Sequence, residues 1–148
     1  MKLSTKGRYG LRAMIDLAIH SNGEHVICSN VSYIAVYRLL HEYFPEKYGV
    51  EATLVDTSDL KEIRKAVRPN TKLIHIETPG NPTTRISDIE EIAKIAKDSG
   101  AMLSVDSTFA SPYLQQPLKL GADLVIHSLT KYINGHESCS LNCSIKGR

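Results

Sequence analysis

Five short apolar runs alternate along this chain with segments of helical spacing, and that alternation limits the fold more than any other feature. His25–Cys28, Ala52–Val55, Lys72–Ile76, Met102–Val105 and Leu124–His127 each read as a strand. Between them Val36, Leu39, Leu40 and Tyr43 recur at helical spacing, with Pro45 and Gly49 punctuating the end. Leu60, Ile63 and Val67 form a second stripe, capped by Ser58 and stopped by Pro69-Asn70. Ile89, Ile92, Ala93 and Ala96 form a third. Ser87 with Glu90 makes a capping box for this helix, and Gly100 lies where a C-terminal cap belongs. Strands alternating with helices predict an α/β fold, a partial three-layer sandwich around a mainly parallel sheet. Ligands of such sheets bind outside the carboxyl ends of the strands.

Length and charge narrow the function. A chain of 148 residues is one domain with a real core. No apolar run approaches the length of a membrane span, and the amino terminus lacks the apolar core of a secretory signal, so a cytoplasmic protein without a membrane partner is expected. Cys28, Cys139 and Cys143 are an odd number and too few for a disulfide framework. The net charge of +2 is uneven: residues 1–22 carry +3 (Lys2, Lys6, Arg8 and Arg12 against Asp16), residues 137–148 carry +1, and the body is left at −2. The body therefore has no electrostatic bias toward nucleic acid.

The residues that follow the strands carry the chemistry. The last strand runs into Ser128-Leu129-Thr130-Lys131-Tyr132, and an earlier one ends at Asp106. Hydroxyls of Ser128 and Thr130 suit a phosphate, the Lys131 amine suits covalent attachment to an aldehyde, and the Asp106 carboxylate suits a protonated ring nitrogen. Together they make up what is needed to hold pyridoxal phosphate. Asn81, in the turn Glu77-Thr78-Pro79-Gly80-Asn81-Pro82, could hydrogen-bond the cofactor's ring oxygen. Tyr33 could stack on the ring and serve as an acid/base group. Each has a plainer reading: Lys131 a surface charge, Asp106 a helix cap or turn residue, Asn81 a turn residue, Tyr33 a half-buried aromatic. His136, Cys139 and Cys143 have spacings compatible with a metal, but three ligands in a tail carry little weight, and no metal is expected. No G-x-G-x-x-G or G-x-x-x-x-G-K-[ST] motif is present, so nucleotide-binding readings lose their main support.

Three ordered stretches supply a resemblance: Glu77–Pro82, Val105-Asp106-Ser107-Thr108-Phe109-Ala110-Ser111-Pro112, and Ser128–His136. With them, residues 23–136 resemble the trans-sulfuration family of fold type I pyridoxal-phosphate enzymes, which includes cystathionine γ-synthase, cystathionine γ-lyase and methionine γ-lyase. The resemblance implies part of a large cofactor-binding domain, γ-elimination or γ-replacement on sulfur amino acids or homoserine esters, and a homo-oligomer. It implies Lys131 as the Schiff-base lysine, Asp106 as the ring-nitrogen partner and Ser128 and Thr130 as phosphate ligands. Asn81 would sit at the ring oxygen, with Tyr33 as the stacking tyrosine.

The chain also departs from that pattern. Ile34-Ala35-Val36 follows Tyr33 where the family has a Gly-Gly-Thr-like turn. A glycine-containing phosphate loop ahead of residue 23, the amino-terminal residues that complete a neighbouring subunit's site, and a carboxyl-terminal domain with its carboxylate-binding arginine are not found. Little or no turnover by the chain itself is expected on this ground. Residues 1–22 resemble the first helix of winged-helix regulators of the iron–sulfur and cysteine-metabolism type, with Leu11, Met14, Ile15 and Ala18 as its stripe. The organisation expected is a chimera: a regulator-like start over 1–22, a partial cofactor domain over 23–136, and an unrelated, disordered tail over 137–148. Two other readings follow: a DNA-binding regulator fragment, and a non-catalytic fragment that associates with intact subunits.

Overall fold

A computed structural model describes residues 23–133, Gly135 and the backbone of 142–146. Residues 1–22, with their regulator-like reading, and the His136 and Cys139 positions lie outside the described residues.

All five expected strands form. They are β1 (His25–Ser29), β2 (Glu51–Val55), β3 (Thr71–Glu77), β4 (Met102–Asp106) and β5 (Leu124–Ser128). They lie in the order β2-β1-β3-β4-β5 and every neighbouring pair is parallel. A sixth strand, β6 (Asn142–Lys146), pairs antiparallel with β5, Ser128 opposite Asn142. Here the structure departs from the expected disordered tail. The outer edge of β5 presents unpaired backbone donors and acceptors, and a following segment of strand length satisfies them.

Helices cover both faces. A helical segment, α1, runs through Ile34–Arg38, Leu39–Tyr43 and Phe44–Tyr48, the middle stretch wound as π-helix. Pro45 does not end it: the segment passes through Pro45 just after the π-helical stretch, and Gly49 closes the helix at φ 63°. Val36, Leu39, Leu40 and Phe44 of α1 pack on Val26, Cys28 and Leu73 of one sheet face. On the other face Ile27, Ile74, Ile76, Leu103 and Val105 meet Ile63 of α2 (Leu60–Ala66) and Ile89, Ile92, Ile95 and Ala96 of α3 (Ile89–Ser99). The three layers match the expected α/β sandwich.

Both expected N-caps shift by one residue. The Ser58 hydroxyl donates to Asp56 Oδ1 at 2.6 Å, so Asp59 caps α2, accepting the Lys61 N–H at 2.8 Å. The Ser87 hydroxyl is buried against Thr57 Oγ1 at 2.8 Å, so Asp88 caps α3, accepting the Glu91 N–H at 3.1 Å. Asp88→Ala is expected to cost about 0.5–2 kcal/mol. Glu90→Ala, which removes only an exposed pairing with Lys94, should stay within about 0.5 kcal/mol of the parent chain. Urea unfolding midpoints separate the two.

Candidate cofactor site

Side chains alternate along a strand, so His75 and Glu77 of β3 and Ser104 and Asp106 of β4 share one face of the sheet. α1 covers the β1 side of that face. Toward the carboxyl ends the face turns polar, and there the candidate residues collect.

They form two groups. In the first, the Thr108 N–H donates to Asp106 Oδ1 at 3.0 Å, and the Ser128 N–H donates to Thr108 Oγ1 at 2.9 Å. Ser128 Oγ and Thr130 Oγ1 share a hydrogen bond of 2.8 Å. One chain of hydrogen bonds thus runs from Asp106 to the hydroxyl pair. Lys131 follows at once, exposed, with a backbone of φ −103° and ψ −128° that breaks the helical turn. Among the described residues it makes no ion pair.

The second group is Tyr33 and Asn81, which line a cavity of about 430 Å³ with Asn30, Ser32, Ile34, Tyr37 and Pro82. Tyr33 is 53% exposed, so its ring is available to a ligand. Its neighbours Ile34, Ala35 and Val36 are already helical, so a helix starts at once where the family has a Gly-Gly-Thr-like turn. Gly80 allows the two loops to meet: a Cβ there would lie 2.9 Å from Val31 Cγ2. Gly80→Ala should force Val31 aside and cost about 1–3 kcal/mol, read as a loss of thermal stability.

Glu77 joins the groups, and sequence reasoning missed it. It ends β3 opposite Asp106 in the ladder, and it is only 7% exposed. Its Oε2 accepts the Tyr33 N–H at 2.8 Å and its Oε1 accepts the Asn81 N–H at 2.9 Å. Burial and then the Asp106 charge push its carboxyl up to about 7, against the pull of those two N–H groups. Thr108 was also missed as a link, though Asp106 followed two residues on by a threonine is a pattern for such a turn.

Three buried histidines bear on pH. Burial lowers the pKa of His25, His75 and His127 in each case as the largest cause. A depressed histidine contributes stability that is full above about pH 6.5 and lost as pH falls through the folded value. The raised Glu77 acts oppositely, disfavouring the folded state progressively as pH rises from about 4.5 to 7. Glu77→Gln, which lacks the opposing carboxyl, should therefore lose more melting temperature between pH 7.5 and 5.5 than the parent chain; an equal change in the two would contradict the raised Glu77 carboxyl.

An open α/β sheet with an aspartate, paired hydroxyls and a lysine that makes no ion pair among the described residues, all at its carboxyl ends, is the frame of a small-ligand-binding domain. The family model for Cys/Met metabolism PLP-dependent enzymes matches residues 6–143, and the chain belongs to that family. Over 115 residues, 78% of the chain and 29% of the relative, it is 60% identical to the canavanine gamma-lyase of Rhizobium leguminosarum bv. trifolii. The Bacillus subtilis cystathionine gamma-lyase is 48% identical over 120 residues, 81% of the chain and 31% of the relative. Among solved structures, metB from Corynebacterium glutamicum superposes with a TM-score of 0.92 at 44% identity, covering 97% of this chain and 37% of that one. The chain thus spans about 30% of the length of the curated relatives it matches.

The residues present fit pyridoxal phosphate. Asp106 offers a carboxylate of which one oxygen is engaged by Thr108, and the Ser128–Thr130 pair offers adjacent hydroxyls with a lysine beside them. Among the described residues no group of His, Cys, Asp and Glu is arranged to hold a metal, and no helix is long and apolar enough to cross a membrane.

Proposed function

We propose that this chain carries the cofactor-holding part of a trans-sulfuration enzyme that acts on sulfur amino acids or homoserine esters by γ-elimination or γ-replacement. The observation that carries the reading is the hydrogen-bonded line Asp106–Thr108–Ser128–Thr130 with Lys131 next in the chain. Two named relatives are γ-lyases, which favours elimination over replacement.

Pyridoxal phosphate, when bound, supplies an electron sink for charge developing at a substrate α-carbon. The residues of this chain supply the rest. Asp106 keeps the ring nitrogen protonated and so keeps the sink effective. Ser128 and Thr130 donate hydroxyl hydrogens to the phosphate, which fixes the reach of Lys131 to the aldehyde. The Lys131 amine would be the group that holds the cofactor at its aldehyde and, as a free amine, the base for the α-proton. The Asn81 amide donates to the ring oxygen. The Tyr33 ring covers one face, and its phenol exchanges protons with the substrate.

The phosphate assignment has a direct test. Pyridoxal phosphate should bind at least about tenfold tighter than pyridoxal, which lacks the phosphate, because hydrogen bonds to a charged group contribute about 1.5–3 kcal/mol each. The double variant Ser128→Ala/Thr130→Ala should narrow that gap to about twofold while leaving pyridoxal itself unaffected. Equal binding of the two compounds by the parent chain would overturn the reading.

A further inference from the structure

We propose that Glu77 is a positioning residue: its buried carboxylate fastens the Tyr33 loop and the Asn81 turn by their main-chain N–H groups, and thereby sets where the Tyr33 ring and the Asn81 amide stand. The consequence for cofactor binding rests on the function proposed above; the fastening itself does not.

The geometry is specific. Tyr33 ends the loop between β1 and α1, and Asn81 lies in the turn after β3, so the two have no strand pairing to hold them together. One carboxylate spans them, an oxygen to each, at 2.8 Å and 2.9 Å. These are charge-assisted bonds from donors that no secondary structure would otherwise satisfy. The backbones of the two residues are thus held while the Tyr33 side chain stays exposed toward the cavity.

The groups that face Glu77 define what the carboxylate responds to. Asp106 faces it from β4, and its charge opposes that of Glu77. Cys28 faces it from β1 as a neutral thiol, held up to about 12 mainly by burial. His75, on the same face of β3, is held neutral by burial. No ion pair reaches Glu77 among the described residues. The charge that opposes the fastening is therefore Asp106. A cation seated on Asp106 cancels that opposition, so binding there and fastening of the two loops favour each other. The coupling is reciprocal by thermodynamic necessity.

Amide hydrogen exchange in the full chain, free of ligand, tests the proposal. Protection at the Tyr33 and Asn81 amides should fall as pH drops through about 7, because a protonated carboxyl keeps only one good acceptor. In Glu77→Gln at least one of the two amides should lose protection about tenfold, with little further dependence on pH. The Ile74 and Leu103 amides, in the sheet interior, should not change. Affinity for pyridoxal phosphate should fall in parallel. Loosened amides with unchanged affinity would support the fastening and overturn instead the placement of Tyr33 and Asn81 at the cofactor. Absence of protection at both amides in the parent chain at pH 8, which needs no variant that folds, or unchanged protection at both in a folded Glu77→Gln chain, would overturn the proposal.

Discussion

Asp106→Asn is expected to weaken pyridoxal phosphate binding by about 10–100-fold, the range set by losing a charge-assisted hydrogen bond worth about 1.5–3 kcal/mol. Asparagine keeps the shape of the residue and its Oδ1 acceptor, so the bond from the Thr108 N–H, now 3.0 Å, should persist. The fold around the site should therefore survive, and the loss should appear in affinity alone. The same change removes the negative charge that raises the Glu77 carboxyl. Protection of the Tyr33 and Asn81 amides should then extend to lower pH than in the parent chain. Weaker binding and firmer loops together are a signature that general damage to the fold would not give. An isotherm indistinguishable from that of the parent chain would remove Asp106 from the site.

Ile76→Ala should have the largest effect on stability, about 2–5 kcal/mol. Ile76 is fully buried in β3, between the helix-covered neighbours Ile74 and Val105, and it packs in the cluster built by α2 and α3. Truncation leaves a hole in the middle layer, where the central strand has paired neighbours on both sides and little freedom to collapse. Glu77 follows Ile76 directly and points to the other face, so strand slippage here would carry the Tyr33 and Asn81 anchor with it. Chemical unfolding should show a lower midpoint. A change below about 0.5 kcal/mol, typical of a surface site, would contradict the packing.

What could be read from the chain and what could not divide along physical lines. The strands and the mainly parallel sheet were legible because β-branched and aliphatic runs such as Leu73-Ile74-His75-Ile76, alternating with helical stripes, have no other stable home; the order of the strands was not. The caps were legible only to within one residue. Ser58-Asp59 and Ser87-Asp88 offer two good capping side chains in a row, and the choice is made by what else each serine bonds: Asp56 two residues back for Ser58, and Thr57, 30 residues away, for Ser87. β6 was missed because a five-residue polar strand is defined by the edge it joins and carries little signal of its own.

The site shows the same division. Asp106, Ser128, Thr130 and Lys131 follow strands directly, so the rule that ligands sit at carboxyl ends was enough to gather them. Glu77 follows a strand too, yet its partners are the backbone N–H groups of Tyr33 and Asn81, one of them 44 residues away. Nothing in the residue types at those positions marks an N–H that needs an acceptor. The sequence also could not show that Glu77 and Asp106 stand opposite each other, because that depends on the β3–β4 register.

On the function proposed here, the carboxyl ends of β3, β4 and β5 hold pyridoxal phosphate with Lys131 as its covalent partner. Incubation of the folded chain with pyridoxal phosphate, reduction with borohydride and peptide mapping test it most directly. The expected result is one reduced adduct per chain, on the peptide carrying Lys131, lost in Asp106→Asn at limiting cofactor and absent in Lys131→Ala. A folded chain that takes up no label, or takes it up at scattered surface lysines with Lys131 unmodified, would remove the cofactor from these strand ends.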